Sequence, residues 1–172
     1  NPFPRMVLPR DLICATAELL AREPTALARL RHLMTVEREY QPMAASLLLQ
    51  VNRSWRPPRP EIDNLRSAHL DGAQWQGADL SNVNLEHADI SLSDLSGADL
   101  ERANLMHAQF TGTRLVEARL QRAQAWHIDL QGANLSRARL YRASFAGGLL
   151  DHARFDQAYA VEAGFVSAGL LG

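Results

Sequence analysis

The chain has 172 residues and a formal net charge of −1, with 18 basic residues, all of them arginine, against 19 acidic ones. Its single cysteine, Cys14, excludes an intramolecular disulfide and favours a cytoplasmic location. No run of about eighteen apolar residues occurs, so the sequence predicts no membrane-spanning helix.

The first sixty residues predict a helical segment. Helical spacing of apolar residues covers 11–22, 25–40 and about 42–53, and the proline-rich stretch 57–60 is expected to form a stiff connector. Three helices this short bury little surface alone. We therefore predict that residues 1–60 form a cap over the open N-terminal end of the region that follows.

From Ala68 onward the sequence repeats every five residues. Positions divisible by five carry large apolar side chains, such as Leu70, Trp75 and Phe110, and a small residue precedes most of them by two positions. Only Ala125 and Ala160 depart from the large series. A period of five fits neither a helix nor a strand, so the chain must turn a corner once per unit. Glycines two residues after a centre suit a positive φ at that corner, and they are Gly72, Gly77, Gly97, Gly112, Gly132 and Gly147.

Units such as AlaAspLeuSerAsn at 78–82 and AlaAsnLeuSerArg at 133–137 resemble the A-(D/N)-L-x-x unit of the pentapeptide-repeat family. The resemblance implies a mainly β fold, a right-handed quadrilateral β-helix in which four units make one coil. Residues 61–172 would then form a solenoid of about five to six coils behind the helical cap. Residues 26–58 are similar to a helical module that precedes the repeats in some membrane-anchored bacterial members.

Because the chain opens with Asn rather than Met, we expect a fragment or a processed product. A membrane tether upstream of Asn1 is left open at this point.

Stacking residues at intervals of one coil gathers arginines on one side of the C-terminal half. Residues 61–101 contain nine acids and one arginine, whereas residues 102–172 contain five acids and eight arginines. One interpretation is a solvated face with ion pairs along the stack, such as Asp99 with Arg119. The other is an anion-binding patch for nucleic acid, acidic lipid or an acidic partner. The arginines concerned are Arg102, Arg114, Arg119, Arg122, Arg137, Arg139, Arg142 and Arg154.

Two further stacks have chemical interest. His87, His107 and His127 should lie on successive coils, but a straight ladder fits a tetrahedral metal site poorly, so we predict a solvent-facing ladder with no metal and no cofactor. Met106 and Trp126 flank this ladder and join the candidate contact surface. A third stack consists of Asn64, Asn84, Asn104 and then Gln124, and it predicts amide ladders along the rod.

The last coil is almost uncharged, which suggests that its end is covered by another surface. Phe165, Leu170 and Leu171 are the candidate contact residues. Several relatives dimerise end to end at their C-termini, so the resemblance implies a homodimer through this coil.

No catalytic motif occurs in the chain: there is no phosphate-binding glycine loop, no GxSxG and no HExxH. We therefore predict a protein that is not an enzyme. The leading interpretation is a protein-interaction scaffold with an unknown protein partner. One alternative is a DNA mimic that binds DNA gyrase, as some family members do to give quinolone tolerance, although only the first two coils here are acidic. The other alternative is anion binding through the arginines.

Overall fold

The computed structural model describes residues 9–58 and 61–169. Three helices come first: α1 (Arg10–Leu20), α2 (Pro24–Val36) and α3 (Gln41–Val51), with a 3-10 turn at Arg38–Tyr40 before α3. Pro24 and Pro42 lie in the first turns of α2 and α3, where a missing N–H costs nothing. The predicted second and third helices therefore exist, but each begins and ends one to four residues earlier than the sequence predicted.

From residue 61 the backbone forms a β-helix. Parallel bridges join residues twenty apart, as in Asn64 with Asn84 and Asn84 with Asn104, so four five-residue units return the chain to the same side. Between coils, the Leu85 N–H donates to the Asn104 carbonyl at 2.8 Å and the Asn104 N–H donates to the Val83 carbonyl at 3.0 Å. The predicted stacking interval is confirmed, and each coil is tied to the next through its backbone.

Each unit has an inward pair, an outward residue and a two-residue corner. In the unit 78–82, Ala78 and the centre Leu80 are buried, Asp79 points outward, and Ser81 and Asn82 form the corner. The corner closes when the Val83 N–H donates to the Leu80 carbonyl at 3.2 Å. A positive φ at the second corner residue alone defines a type II turn. The positive φ predicted for glycines is confirmed, and fifteen other residues adopt it at the same register.

The core is a stack of the centres. Those from Leu65 to Leu150 are at most 1% exposed, and Ala125 is among them. Ile128 stands at the inward position normally held by a small residue, and Gly148 takes that position one coil later. A β-carbon on Gly148 would lie 3.3 Å from the Ile128 side chain, so the large and the small residue complement each other. The sequence pattern did not reveal this exchange.

Two inward positions are polar, which the repeat pattern identified only as small. The Ser93 hydroxyl donates to the Leu70 carbonyl at 3.1 Å and accepts from the Ala73 N–H at 3.0 Å. One coil later, the Thr113 hydroxyl donates to the Ile90 carbonyl at 2.9 Å. Both side chains are buried, and these bonds satisfy their hydroxyls.

Helix α3 lies against the first coil and pairs its open backbone edge. Gln41 is 3% exposed, and its amide oxygen accepts from the Asn64 N–H at 3.0 Å while its nitrogen donates to the Glu61 carbonyl at 2.9 Å. The Ser46 hydroxyl accepts from the His69 N–H at 2.9 Å. These side chains take the place of a preceding coil, which would otherwise leave backbone groups without partners.

The chain after α3 continues this pairing at the next two corners of the first coil. Arg53 donates to the Asp71 carbonyl at 2.6 Å, and Arg56 donates to the Gln76 carbonyl at 2.7 Å. Trp55 packs edge-on against the core residue Trp75, with ring centroids 6.1 Å apart. Together with those of α3, these contacts reach three of the four sides of the first coil and the corners at Asp71 and Gln76. The partition of the chain at residue 60 stays a prediction.

Gln41→Ala should lower the free energy of unfolding by about 2 kcal/mol, because it removes the hydrogen-bond partner of several partly buried backbone groups of the first coil. Chemical denaturation monitored by circular dichroism measures this. Gln124→Ala is the matched control, since Gln124 is exposed on a later coil. Equal effects from the two substitutions would contradict the role assigned to Gln41.

Candidate interaction surface

When Asp or Asn occupies the outward position of the repeat, its side chain stabilises the corner that follows. In the corner that follows Asp79, the Ser81 N–H donates to the Asp79 carboxylate at 2.9 Å. This is an Asx turn, in which a short polar side chain caps the backbone two residues on. The same bond forms at every described outward Asp or Asn: Asn64, Asp79, Asn84, Asp89, Asp94, Asp99, Asn104, Asp129 and Asn134.

The predicted amide ladder is therefore only part of the explanation for the asparagines. One bond does run along the stack, from the Asn104 amide to the Asn84 oxygen at 3.2 Å. The bond that recurs at every such residue, however, is the local one to its own corner. The spacing of the asparagines by one coil predicted the ladder. The local hydrogen bond at the corner could be identified only from the structure.

Arginine replaces Asp or Asn at four outward positions in the C-terminal half. Arg114 and Arg154 belong to one column, and Arg119 and Arg139 belong to the column on the next face. A guanidinium cannot accept the hydrogen bond that closes the corner. These four side chains therefore point outward without forming the hydrogen bond that an Asp or Asn oxygen would accept at the corner.

Most of the predicted arginines have carboxylate neighbours. Arg119 lies 3.2 Å from both Asp99 and Glu101, which realises the predicted Asp99–Arg119 pair. The remaining pairs join Arg102 to Glu101 at 3.7 Å, Arg137 to Glu117 at 3.4 Å, Arg142 to Glu162 at 2.6 Å and Arg154 to Asp156 at 3.0 Å. Such exposed pairs contribute little to stability.

Of the eight predicted arginines, Arg114, Arg122 and Arg139 have no ion pair within residues 9–58 and 61–169. Arg122 stands at a corner with a φ of 61°, directly between Arg102 and Arg142 in its column. Arg139 follows Arg119 on the adjacent face. Arg122 and Arg139 lie on one face and its corner, which we call the arginine face: Arg102, Arg119, Arg122, Arg139 and Arg142.

The three predicted histidines do form a ladder. The rings of His87 and His107 stack with centroids 4.9 Å apart, and those of His107 and His127 with centroids 5.0 Å apart. The ladder ends at Gly147, where a β-carbon would come within 2.6 Å of the His127 ring. In the described part of the chain, no group of three or more His, Cys, Asp or Glu side chains is placed to hold a metal ion.

Trp126 is the most prominent aromatic residue beside this ladder. It is 45% exposed, and its indole N–H donates to the Ser144 hydroxyl at 2.7 Å, which fixes the ring against the next coil. Met106 precedes it in the same column and is half-buried. The pair thus offers an exposed, oriented indole rather than a broad apolar patch.

At the C-terminal end, Phe165 turns inward rather than outward. Its ring stacks on Phe145 with centroids 5.2 Å apart and meets Phe155 edge-on at 5.9 Å. It is only partly buried, because no later coil among the described residues covers it. Leu170 and Leu171, the other two candidates for this contact, lie outside the described residues.

Asp94 shows how the corner bond affects ionisation. Partial burial acts to raise its pKa, but hydrogen bonds from the Ser96 hydroxyl at 2.7 Å and the Ser96 N–H at 3.0 Å outweigh it, and the pKa is lowered. Arg114, next in the column, adds a smaller lowering effect. The folded state therefore favours the ionised carboxylate.

The comparisons agree with this architecture of a repetitive β-helix. The sequence model of pentapeptide repeats matches eight copies over residues 64–97, 93–122 and 118–157. This chain belongs to the pentapeptide-repeat family, and its β-helix is right-handed like the family's. No curated protein is significantly similar in sequence.

Solved structures of other family members are also similar. A pentapeptide repeat protein from the Arabidopsis thaliana thylakoid lumen is 26% identical over 54% of this chain and 65% of that chain, with a TM-score of 0.53. Rfr23 from the cyanobacterium Cyanothece 51142 is 26% identical over 69% and 78%, with a TM-score of 0.29. QnrB1, a plasmid-mediated fluoroquinolone resistance protein, is 17% identical over 62% and 78%, with a TM-score of 0.22. The match thus spans just under two thirds of the Arabidopsis protein.

Asp94→Asn should make the protein less sensitive to acid. A lowered folded pKa adds stability above the unfolded pKa of about 3.9, and this stability is lost as the pH falls through the folded pKa. Asparagine keeps the corner bond but does not titrate. The fall in unfolding free energy between about pH 5 and about pH 2 should be smaller in Asp94→Asn than in the wild type. Ser96→Ala should reduce it too, and unchanged acid dependence in both variants would refute the assignment.

Proposed function

We propose that this protein is a non-enzymatic interaction scaffold, a β-helix of about five to six coils that displays side chains on a rigid rod. Residues 1–60 act as its cap and residues 61–172 as the display region, in the cytoplasm, with an upstream membrane tether as an open extension of the proposal. The partner is a protein of acidic surface that contacts the arginine face and the adjacent column of Arg114 and Arg154.

One observation carries the proposal: arginines replace the corner-capping Asp or Asn at positions 114, 119, 139 and 154. Other outward positions that lack the cap carry uncharged residues such as Gln109, Gln124 and Leu149, so loss of the cap does not by itself require arginine. The arginine side chain instead extends charge and five hydrogen-bond donors into solvent, where they suit a carboxylate-bearing surface.

A catalytic role has little structural support. The centres of the coils are filled by buried side chains, whereas catalysis normally uses a concave site. An open groove of about 490 Å³ lies on the outer side of α2, between Arg29, Val36 and Glu37, away from the repeat columns.

No helix within the described ranges is long and apolar enough to cross a bilayer.

Exposed hydrophobic residues near the C-terminal end support a second contact. Val161 and Val166 are 46% and 73% exposed, and Tyr159 is 58% exposed. A homodimer joined end to end through the last coil would cover Phe165 and these neighbours. We include this contact in the proposal as a route to a bivalent scaffold.

Restoring the repeat consensus tests the scaffold proposal. A variant with Asn at positions 114, 119, 139 and 154 should be at least as stable as the wild type, because each Asn can close its corner. It should lose the partner proteins that the wild type captures from its native lysate, measured by quantitative mass spectrometry. The matched control converts Gln109 and Gln124, outward residues of the other two faces, to Asn and should keep them. Equal capture by all three proteins would contradict the assignment.

Nucleic acid is the competing ligand for the arginine face. If the face binds duplex DNA, affinity measured by fluorescence anisotropy should fall steeply with salt, and Arg122→Glu should weaken it. We expect no such binding, because neighbouring carboxylates neutralise most of the arginines. We likewise expect no inhibition of gyrase supercoiling and no protection from a fluoroquinolone, since acidic coils make up only the first part of the rod. A positive result in either assay would replace the scaffold proposal.

A further inference from the structure

One outward column on the rod carries charges that reverse halfway along it. Asp79, Asp99, Arg119 and Arg139 follow one another on successive coils, joined by parallel bridges. Two carboxylates are thus followed by two guanidinium groups along a straight line. A column with this order is complementary in charge to its own reversed copy.

We propose that a second copy of this chain lies antiparallel along this face. The two rods would be related by a twofold axis parallel to the strands, passing between the levels of Asp99 and Arg119. Asp79 then faces Arg139 of the second copy, and Asp99 faces Arg119 of the second copy. Each contact occurs twice, as an isologous interface requires. This goes beyond the scaffold proposal, because no foreign partner takes part, and the second copy would compete with such a partner for Arg119 and Arg139.

The shape of the neighbouring corner fits the same arrangement. Its column contains Gly77 and Gly97 on the first coils and Glu117 and Arg137 on the next two. A β-carbon on either glycine would meet nothing within 4 Å, so that part of the corner is open space. The twofold axis places Glu117 of the second copy over Gly97 and Arg137 of the second copy over Gly77. The side chains of Glu117 and Arg137 in each copy thus lie over the two glycines of the other copy.

Arg139 is the residue to which this contact supplies an ion-pair partner. It has no ion pair in the described part of the chain, and it cannot close its own corner. Arg119, in contrast, already lies 3.2 Å from Asp99 and from Glu101 of its own chain. Those exposed pairs are worth little and can exchange for equivalent pairs across the interface.

Two features keep the association weak. On the other corner of the face, Arg102 meets Arg122 of the second copy, and these like charges must stay hydrated. The face is also only one strand wide, so it buries less than the roughly 1,600 Å² of a standard interface. The dimer should therefore form at micromolar or higher concentrations and weaken as salt screens the column.

Charge exchange between positions 79 and 139 tests the arrangement. Sedimentation equilibrium of the full 172-residue chain should show self-association at low salt that weakens as salt is added, unlike an apolar contact through the last coil. Arg139→Glu sets two carboxylates against each other across the interface, and Asp79→Arg sets two guanidinium groups against each other. Each should therefore raise the dimer dissociation constant at least about tenfold. Combining both substitutions in one chain should restore the dimer, as should an equimolar mixture of the two single variants.

Arg154→Glu is the matched control, since it makes the same charge change in the column of the adjacent face and should leave the dimer unchanged. Thermal unfolding of each variant shows whether it is folded, and the rescue by the double variant does not depend on the stability of either single one. A protein that stays monomeric at low salt would overturn the proposal. So would self-association that is resistant to salt and unchanged by Arg139→Glu, which the contact through the C-terminal coil alone would explain, or a double variant that fails to restore the association. Capture of a foreign partner by the arginine face would be unaffected by any of these failures.

Discussion

The backbone ladder between coils is the constraint on which the structure depends. Every unit must return its N–H and C=O groups to the same register one coil later, so every unit must turn at the same place. That turn requires a positive φ at the second corner residue, whether glycine or, as at Arg122 and His127, a residue with a side chain. Once the ladder is satisfied, only two of every five side chains face the core. The other three face solvent, where each can serve either the stability of the coil or contact with a partner.

The type of residue at the outward position differs between the two halves of the rod. In the acidic first half, Asp79 and its equivalents cap their corners and therefore serve the fold. After Asn134 no described outward residue is Asp or Asn, and the positions carry Arg139, Ser144, Leu149 and Arg154 among others. Stability in a solenoid comes from each coil resting on its neighbours, so the later coils can forgo their caps without disrupting the register. Surface chemistry is thereby concentrated in the C-terminal half.

Much of this could be predicted because the period is strict. A five-residue repeat identifies the buried centres, the stacking interval and the positive φ, and the columns of Arg119 with Asp99 and of the three histidines follow by arithmetic. What the repeat does not encode are exceptions and junctions. Ile128 with Gly148 is an exchange of volume between coils that only their contact explains. Gln41 was indistinguishable from other polar helix residues, because its role depends on how α3 lies against the first coil.

The central claim is that an outward Asp or Asn serves the fold whereas an outward arginine does not. Its most direct test is the free energy of unfolding of Asp129→Ala, Gln109→Ala and Arg139→Ala, measured by chemical denaturation. Asp129→Ala should lose about 1 kcal/mol, because it removes the bond to the Gln131 N–H. The other two should stay within about 0.5 kcal/mol of the wild type. If Arg139→Ala lost as much stability as Asp129→Ala, the arginine would have a structural role and the assignment of this face to interaction would be wrong.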